Sequence, residues 1–418
     1  MSVSVLSRAI RPWLAAALAL LMLASALLVA PPVEAQGPPK AVRFATFNAS
    51  LNRGSAGQAL TDLSTPGNAQ ANVVAEIIQR ARPEVLLINE FDFEPNNALA
   101  DAFQANYLGV GQNGAAPIAY PYVFVAPSNT GIPSGFDLDN SGGAPGGPND
   151  AFGFGFFPGQ FGMAVFSQHP ILFDDVRTFQ NFLWKDMPGA RLPTVPATGG
   201  PWYSNAELEV LRLSSKSHWD VPIDIGGRTV HFLVSHPTPP VFDGAEDRNG
   251  TRNADEIRLW ADYVTPGAGD YIYDDAGGAG GLDPGSMFVI AGDQNSDPLD
   301  GDSIPGSIQQ LLDNPRINAT VTPSSEGAVE AAALQGGANA THRSDPRFDT
   351  ADFADGAPGN LRADYVLPSR SLRIVDVAVF WPVQADPLFR LTGVFPFPSS
   401  DHRLVWVDVM VPGSARGG

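Results

Sequence analysis

Val289-Ile290-Ala291-Gly292-Asp293-Gln294-Asn295 is the stretch on which the reading of this chain turns. It completes an apolar run that begins at Met287, breaks on a glycine, and ends in a carboxylate and two amides. An apolar run of that length closed by a turn residue reads as a buried strand. In α/β scaffolds the carboxyl ends of such strands gather distant residues into one cleft. Alternation along an extended segment puts Asp293 and Asn295 on one side and Gln294 on the other. A carboxylate placed there can orient or deprotonate water, while an amide donates to an oxygen that is gaining charge. The plainer alternative is an Asx turn closing the strand.

Four other segments share this form, each at the edge of an apolar run: Thr46-Phe47-Asn48, Leu86-Leu87-Ile88-Asn89-Glu90, Val234-Ser235-His236-Pro237-Thr238 and Ser400-Asp401-His402. Singly they have ordinary readings: Asn48 as a turn residue, Glu90 as a rim charge, His236 and His402 as structural imidazoles. Together they hold what metal-assisted cleavage of a phosphate ester requires. Glu90 can hold a hard divalent cation through oxygen, and Asp401 offers a second such ligand. Asp364, in Arg362-Ala363-Asp364-Tyr365, is suited to hold the His402 ring in one tautomer and raise its basicity.

Strands are expected over residues 41–48, 84–90, 163–167, 229–235, 287–291, 363–367, 372–381 and 404–411. Helical spacing of apolar residues predicts helices over 72–81 and 253–264, with shorter ones at 99–103 and 308–312. Strands and helices alternate only in part, so mixed sheets are expected. The Gly/Pro-rich stretches 109–162, 188–202, 267–285 and 336–359 have no fixed period and read as loops. The chemical segments span nearly the whole chain, which argues for one catalytic domain over 36–418.

The first residues read as an export signal. Arg8 and Arg11 precede an apolar stretch from Trp13 to Ala30, and Val33-Glu34-Ala35 is a small-x-small cleavage site. A signal peptide over 1–35 and a secreted or periplasmic protein are therefore expected, with no stable membrane insertion after cleavage. An uncleaved anchor is the competing reading. The 418 residues contain no cysteine, which excludes lipoprotein anchoring, disulfides and thiolate metal sites. Net charge is −19, and removing residues 1–35 makes it one unit more negative. An acidic surface repels polyanions, and no run of basic residues interleaved with aromatics offsets it.

The order Phe47-Asn48, Asn89-Glu90, Ser235-His236, Gly292 to Asn295, Arg362 to Tyr365 and Ser400 to His402 resembles the endonuclease/exonuclease/phosphatase superfamily. That group includes deoxyribonucleases, abasic-site endonucleases, sphingomyelinases and inositol polyphosphate phosphatases. The resemblance runs from Val42 to Val411, and residues 161–171 also resemble a family segment. It implies a two-sheet mixed β-sandwich flanked by outer helices, four layers deep, with long Gly/Pro-rich loop insertions. It implies Mg²⁺ or Mn²⁺ at Glu90, with Asn48 nearby and Asp401 as a further ligand. Asp293 then positions or deprotonates water, and Asn295 with Asn48 steadies phosphoryl oxygens. His236 contacts the phosphate or protonates the leaving group, paired with His402, which Asp364 orients. The substrate implied is a phosphate ester of nucleic acid, phospholipid headgroup or small-molecule type; no protein partner is expected. Ser50 stands where relatives that cut abasic sites carry Asp, and His236 where they carry Tyr. A non-catalytic phosphate-ligand or partner-binding relative is the alternative, and it would be favoured had Glu90, Asp293 or His402 been replaced.

Asp137-Leu138-Asp139-Asn140-Ser141-Gly142 places oxygen groups of Asp137, Asp139 and Ser141 at alternate positions before a glycine, as in the first half of a calcium loop. The twelfth position is Pro148, so an Asx-rich turn is the competing reading. Gly153-Phe154-Gly155-Phe156-Phe157 lacks the third glycine of a dinucleotide loop and reads as a packed loop. Lys216, His218 and Trp219 read as a surface β-hairpin, with a groove-lining role as the alternative. No Gly-x-Ser-x-Gly elbow is present, which excludes a serine hydrolase of that type.

Overall fold

Where the sequence shows unbroken apolar runs, the chain forms central strands. The computed structural model describes residues 40–413, so the export signal expected over 1–35 lies outside the described residues. Its strands are β1 (Lys40–Asn48), β2 (Val85–Asn89), β3 (Tyr122–Phe124), β4 (Met163–Ser167), β5 (Arg177–Thr178), β6 (His218–Asp224), β7 (Thr229–Ser235), β8 (Met287–Asp293), β9 (Ala351–Asp352), β10 (Asn360–Leu361), β11 (Asp364–Pro368), β12 (Arg373–Val379) and β13 (Val405–Val411). One sheet runs β12-β13-β1-β2-β4-β3 and the other β11-β8-β7-β6-β5, while β9 pairs with β10.

Both sheets are mixed. β1 and β2 are parallel, as are β7 and β8. The crossover between each pair carries a long helix, α1 (Ala69–Ala81) in the first and α2 (Arg248–Val264) in the second. In β2, Val85 and Leu87 face the space between the sheets, while Leu86 and Ile88 face the outer layer with α1. Burial on both faces explains the absence of alternation. The inter-sheet core is built from Phe44, Trp219, Phe232, Val289 and Val407 among others. Ile257 and Trp260 of α2 pack on Leu233 and Ile290 on the far side of the second sheet. The order is helix, sheet, sheet, helix.

Several elements differ from expectation. α1 starts three residues earlier than the apolar spacing suggests, because the Asn68 side chain accepts from the Ala71 N–H and caps it. α2 starts at Arg248 rather than 253, its first turn carrying no apolar stripe. A further helix, α3 (Glu326–Gln335), has Ser325 as its cap and an alanine-rich sequence with no amphipathic pattern to announce it. The surface hairpin expected around His218 and Trp219 is instead buried. β6 pairs with β7 along its whole length, Trp219 enters the inter-sheet core, and His218 lies between Ser214 Oγ at 2.7 Å and the Glu256 carbonyl at 2.9 Å.

Asp349, just before β9, is 2% exposed, and its Oδ1 has no hydrogen-bond partner. Burial, with Asp297, Asp300 and Asp345 nearby, pushes its pKa up to about 8. The folded chain therefore keeps a proton that the unfolded chain releases near pH 4. Stability then falls by roughly 1 kcal/mol per pH unit as pH rises between those two values. Asp349→Asn removes this titration. It is expected to melt above the wild type at pH 8, with a smaller gap at pH 5. A variant that melts below the wild type at pH 8 contradicts this.

Candidate active site

The two parallel pairs of strands carry site residues at their carboxyl ends. Asn48 closes β1, Glu90 follows β2, His236 follows β7, and Asp293 closes β8. Asp364 opens the antiparallel β11, and His402 precedes β13. They meet on Asp293 Oδ2. Asn48 Nδ2 donates to it at 3.1 Å, His236 Nε2 lies at 3.3 Å and His402 Nε2 at 3.6 Å. Asn48 Nδ2 also donates to Glu90 Oε1 at 3.1 Å. His402 Nδ1 sits 2.8 Å from Asp364 Oδ2, and that oxygen also accepts from Thr350 Oγ1 at 2.9 Å.

The backbone is shaped to make this possible. Gly292 has φ +145, and a Cβ there would lie 2.0 Å from the Ser235 carbonyl of the neighbouring strand. Ser50, Glu90 and Asn295 all adopt left-handed φ values, between +47 and +57, which non-glycine residues seldom adopt and which cluster at functional sites. The left-handed turn corrects one expectation. β8 ends at Asp293, so strand alternation does not place Asn295. Instead its N–H donates to Asp293 Oδ1 at 2.9 Å, and Nδ2 donates to the Pro237 carbonyl at 3.1 Å. Gln294 turns inward, where Nε2 donates to Ser235 Oγ at 3.2 Å.

Charge states follow from burial and neighbours. Burial opposes ionising Asp293, but His402, His236 and the Asn48 amide outweigh it and hold the carboxyl well below its usual range. Burial also opposes charging His402, yet Asp364 and Asp293 overcome it and keep the ring's pKa well above the usual value. His236 goes the other way. Burial, aided by Lys216, pulls it down to about 4, so this ring is neutral.

The residues fit a hard cation. Burial raises the Glu90 pKa, and the Asp401 and Asp293 carboxylates raise it further against one neutral amide donor and His402. A divalent ion is what such a carboxylate group lacks. Asp401 lies at the same edge, its Oδ1 3.3 Å from Ser400 Oγ and 3.5 Å from Ser50 Oγ. Asn48 turns its amide nitrogen, not its oxygen, toward the carboxylates; as a ligand it would present the oxygen. Asp293, Asp364 and His402 also cluster tightly, but the imidazole already bridges the two carboxylates. In the 137–150 loop, carboxylate oxygens of Asp137, Asp139 and Asp150 lie within 4.8 Å of one another. Asp150 was not anticipated, since it sits two positions beyond Pro148. Ser141 Oγ donates to Asp137 Oδ1 at 3.3 Å.

Other supporting residues escaped the sequence reading. Asn89 Oδ1 accepts from Thr46 Oγ1 at 3.2 Å and the Asp293 N–H at 3.3 Å, tying the two sheets together behind the site. Glu256, fully buried on α2, accepts from the Ser215 and Thr238 N–H groups at 2.6 Å each. Those loops carry Lys216 and His236. Lys216 is buried, not on the surface: desolvation lowers its pKa, while Glu256, Glu90 and Asp293 hold its charge up. A glutamate and Asn253 interrupting the apolar face of a helix were the available signal. The 153–157 run has a tightly packed backbone, but Phe154 and Phe156 are exposed.

Residues 45–402 match the endonuclease/exonuclease/phosphatase family. A search of curated proteins found no match. Among solved structures, the chain is similar to an endonuclease/exonuclease/phosphatase from Beutenbergia cavernae, with 18% identity, 90% of this chain and 72% of that one covered, and a TM-score of 0.47. It is similar to a family protein from Leptotrichia buccalis at 13% identity, with coverage of 88% and 99% and a TM-score of 0.43. A Staphylococcus aureus beta toxin variant with bound magnesium ions shows 12% identity, coverage of 88% and 99%, and a TM-score of 0.42.

Glu256→Gln puts an amide donor against one of two backbone N–H groups. It is expected to lower unfolding free energy by roughly 1–3 kcal/mol in denaturant titration. Unchanged stability contradicts the assignment of Glu256 as the brace of the His236 loop.

Proposed function

The chain belongs to the endonuclease/exonuclease/phosphatase family, whose members are hydrolases of phosphate esters, and we propose that it is an exported, divalent-metal-dependent hydrolase that uses water as nucleophile. The observation that carries this reading is the convergence on Asp293 Oδ2 of one amide and two imidazoles, beside a Glu90 carboxylate that the same Asn48 amide also holds.

Glu90 and Asp401 are the residues to hold Mg²⁺ or Mn²⁺, which when bound offsets the negative charge gathering on phosphoryl oxygens. Asp293, held ionised, orients the attacking water and takes up its proton. Asn295 Nδ2 keeps one hydrogen beyond the Pro237 carbonyl and donates it to a phosphoryl oxygen as charge builds, while Asn48, with both amide hydrogens on Glu90 and Asp293, holds those carboxylates in place. His402, protonated and fixed by Asp364, gives its Nε2 proton to the departing oxygen. His236, kept neutral, is the poorer acid and serves to position Asp293. Lys216 adds fixed positive charge beneath the site.

Export is supported by Arg8, Arg11, the apolar stretch from Trp13 to Ala30 and the small-x-small site ending at Ala35. Among the described residues no helix is long and apolar enough to cross a membrane. Calcium is assigned to the 137–150 loop, where three carboxylates converge in a glycine-rich segment of a protein with no disulfide to stiffen it.

With bis-p-nitrophenyl phosphate and p-nitrophenyl phosphate, turnover is expected in Mg²⁺ or Mn²⁺ and none in chelator. Asp293→Ala and His402→Ala should each lower it by about a hundredfold or more. Wild-type turnover in either variant overturns the mechanism. Calcium should raise the melting temperature, and Asp139→Ala should abolish that rise; no response to calcium removes the loop assignment.

A further inference from the structure

Beside the catalytic centre lies a groove of about 760 Å³, within the roughly 300–1,000 Å³ of ligand pockets. One end is Asp401, and Phe353 in its wall sets its ring edge-on to His402 at 5.2 Å between centroids. The groove therefore borders the reacting centre. Its other walls are Leu334 of α3, Trp381, Phe389 and the Val394–Phe397 segment. Arg403 lies under the floor, 4.3 Å over the Trp381 ring and ion-paired to Asp352 at 3.0 Å. Among the described residues lining the groove there is no lysine or arginine, while Glu330, Asp352, Asp355 and Asp401 supply carboxylates.

The mouth is apolar as well. Phe395 is 82% exposed, Leu334 63% and Val394 57%. Three more exposed apolar side chains lie in loops that leave, or are tied to, the strands carrying the site. Phe242 follows His236 by six residues, Leu299 follows Asp293 by six, and Phe156 belongs to the loop anchored by the Phe161 N–H donating to Asp92, two residues past Glu90. Soluble proteins seldom cluster large apolar tips in this way unless the surface meets a partner or a membrane.

We infer that the substrate is a lipid-linked phosphate ester taken from a zwitterionic lipid surface, its hydrocarbon part lying in this groove and the exposed rings resting in the interface. This rests on the phosphoesterase reading and narrows its substrate class. Charge selects the occupant. A polyanion in the groove meets four carboxylates with no lysine or arginine in the lining to offset them, on a chain of net charge −19, whereas a hydrocarbon chain can lie against Leu334, Trp381, Phe389 and Phe395.

Two measurements on the purified protein test it. Co-sedimentation with phosphatidylcholine–sphingomyelin vesicles is independent of turnover. Binding is expected, weakened tenfold or more in Phe395→Ser and in Leu334→Glu, and weakened by adding phosphatidylserine. In the second, vesicle hydrolysis should fall tenfold or more in the same variants, while bis-p-nitrophenyl phosphate turnover stays within about twofold. A wild type that leaves these vesicles unbound overturns the inference whatever its activity. So does one that cleaves bis-p-nitrophenyl phosphate and plasmid DNA but not lipid, or variants that bind vesicles as the wild type does. Loss of every activity in the wild type, with vesicle binding intact, counts against the phosphoesterase reading alone.

Discussion

One carboxylate oxygen, Asp293 Oδ2, holds the site together. An ionised carboxylate buried to 1% exposure is costly unless several donors meet it. Here the donors come from β1, from the loop after β7 and from the segment before β13. The demand for those donors couples the two sheets at their carboxyl ends. It also explains the polar residues behind the site. Asn89 takes the Asp293 N–H, and Asn253 Nδ2 donates to the Gln294 carbonyl at 2.9 Å and the Thr238 carbonyl at 2.8 Å. Each fixes backbone that would otherwise let a donor drift.

The same centre is unbalanced in charge. Glu90, Asp293, Asp364 and Asp401 face His402 and Lys216, and Glu90, whose pKa burial raises first, is raised further by Asp401 and Asp293. The two histidines divide accordingly. His402 sits between two carboxylates and keeps its proton, while His236 shares its neighbourhood with Lys216 and loses it. Two identical side chains on one carboxylate oxygen thus have different acidities, which is how one site assigns separate roles to similar groups.

Much of the fold was legible because buried strands leave unbroken apolar runs, as in β2 and β8. β6 was not, because His218, Asp220, Pro222 and Asp224 interrupt its apolar residues and mimic a surface strand. The structure satisfies those polar groups from within: Asp220 accepts from Tyr263 Oη at 2.7 Å and lies 2.8 Å from His231 Nδ1. α3 was invisible because alanines carry no stripe. At the site, motif order led to Asp364 and His402, which lie 2.8 Å apart. The left-handed turn at Asn295 corresponds to the Asx-turn alternative rather than to strand alternation: asparagine tolerates positive φ, and the Asn295 N–H donates to Asp293 Oδ1. Glu256 carried a weak signal, lying with Asn253 among the apolar residues of its helix, but the sequence does not show that two backbone N–H groups meet it there.

The most direct measurement is diffraction from crystals grown in Mn²⁺, recorded at the manganese absorption edge. An anomalous peak bound to the carboxylate of Glu90, beside Asp401 and within the ring of Asn48 and Asp293, is what a cation-centred phosphoesterase requires. Strong density confined to the 137–150 loop, with none at Glu90, would contradict it.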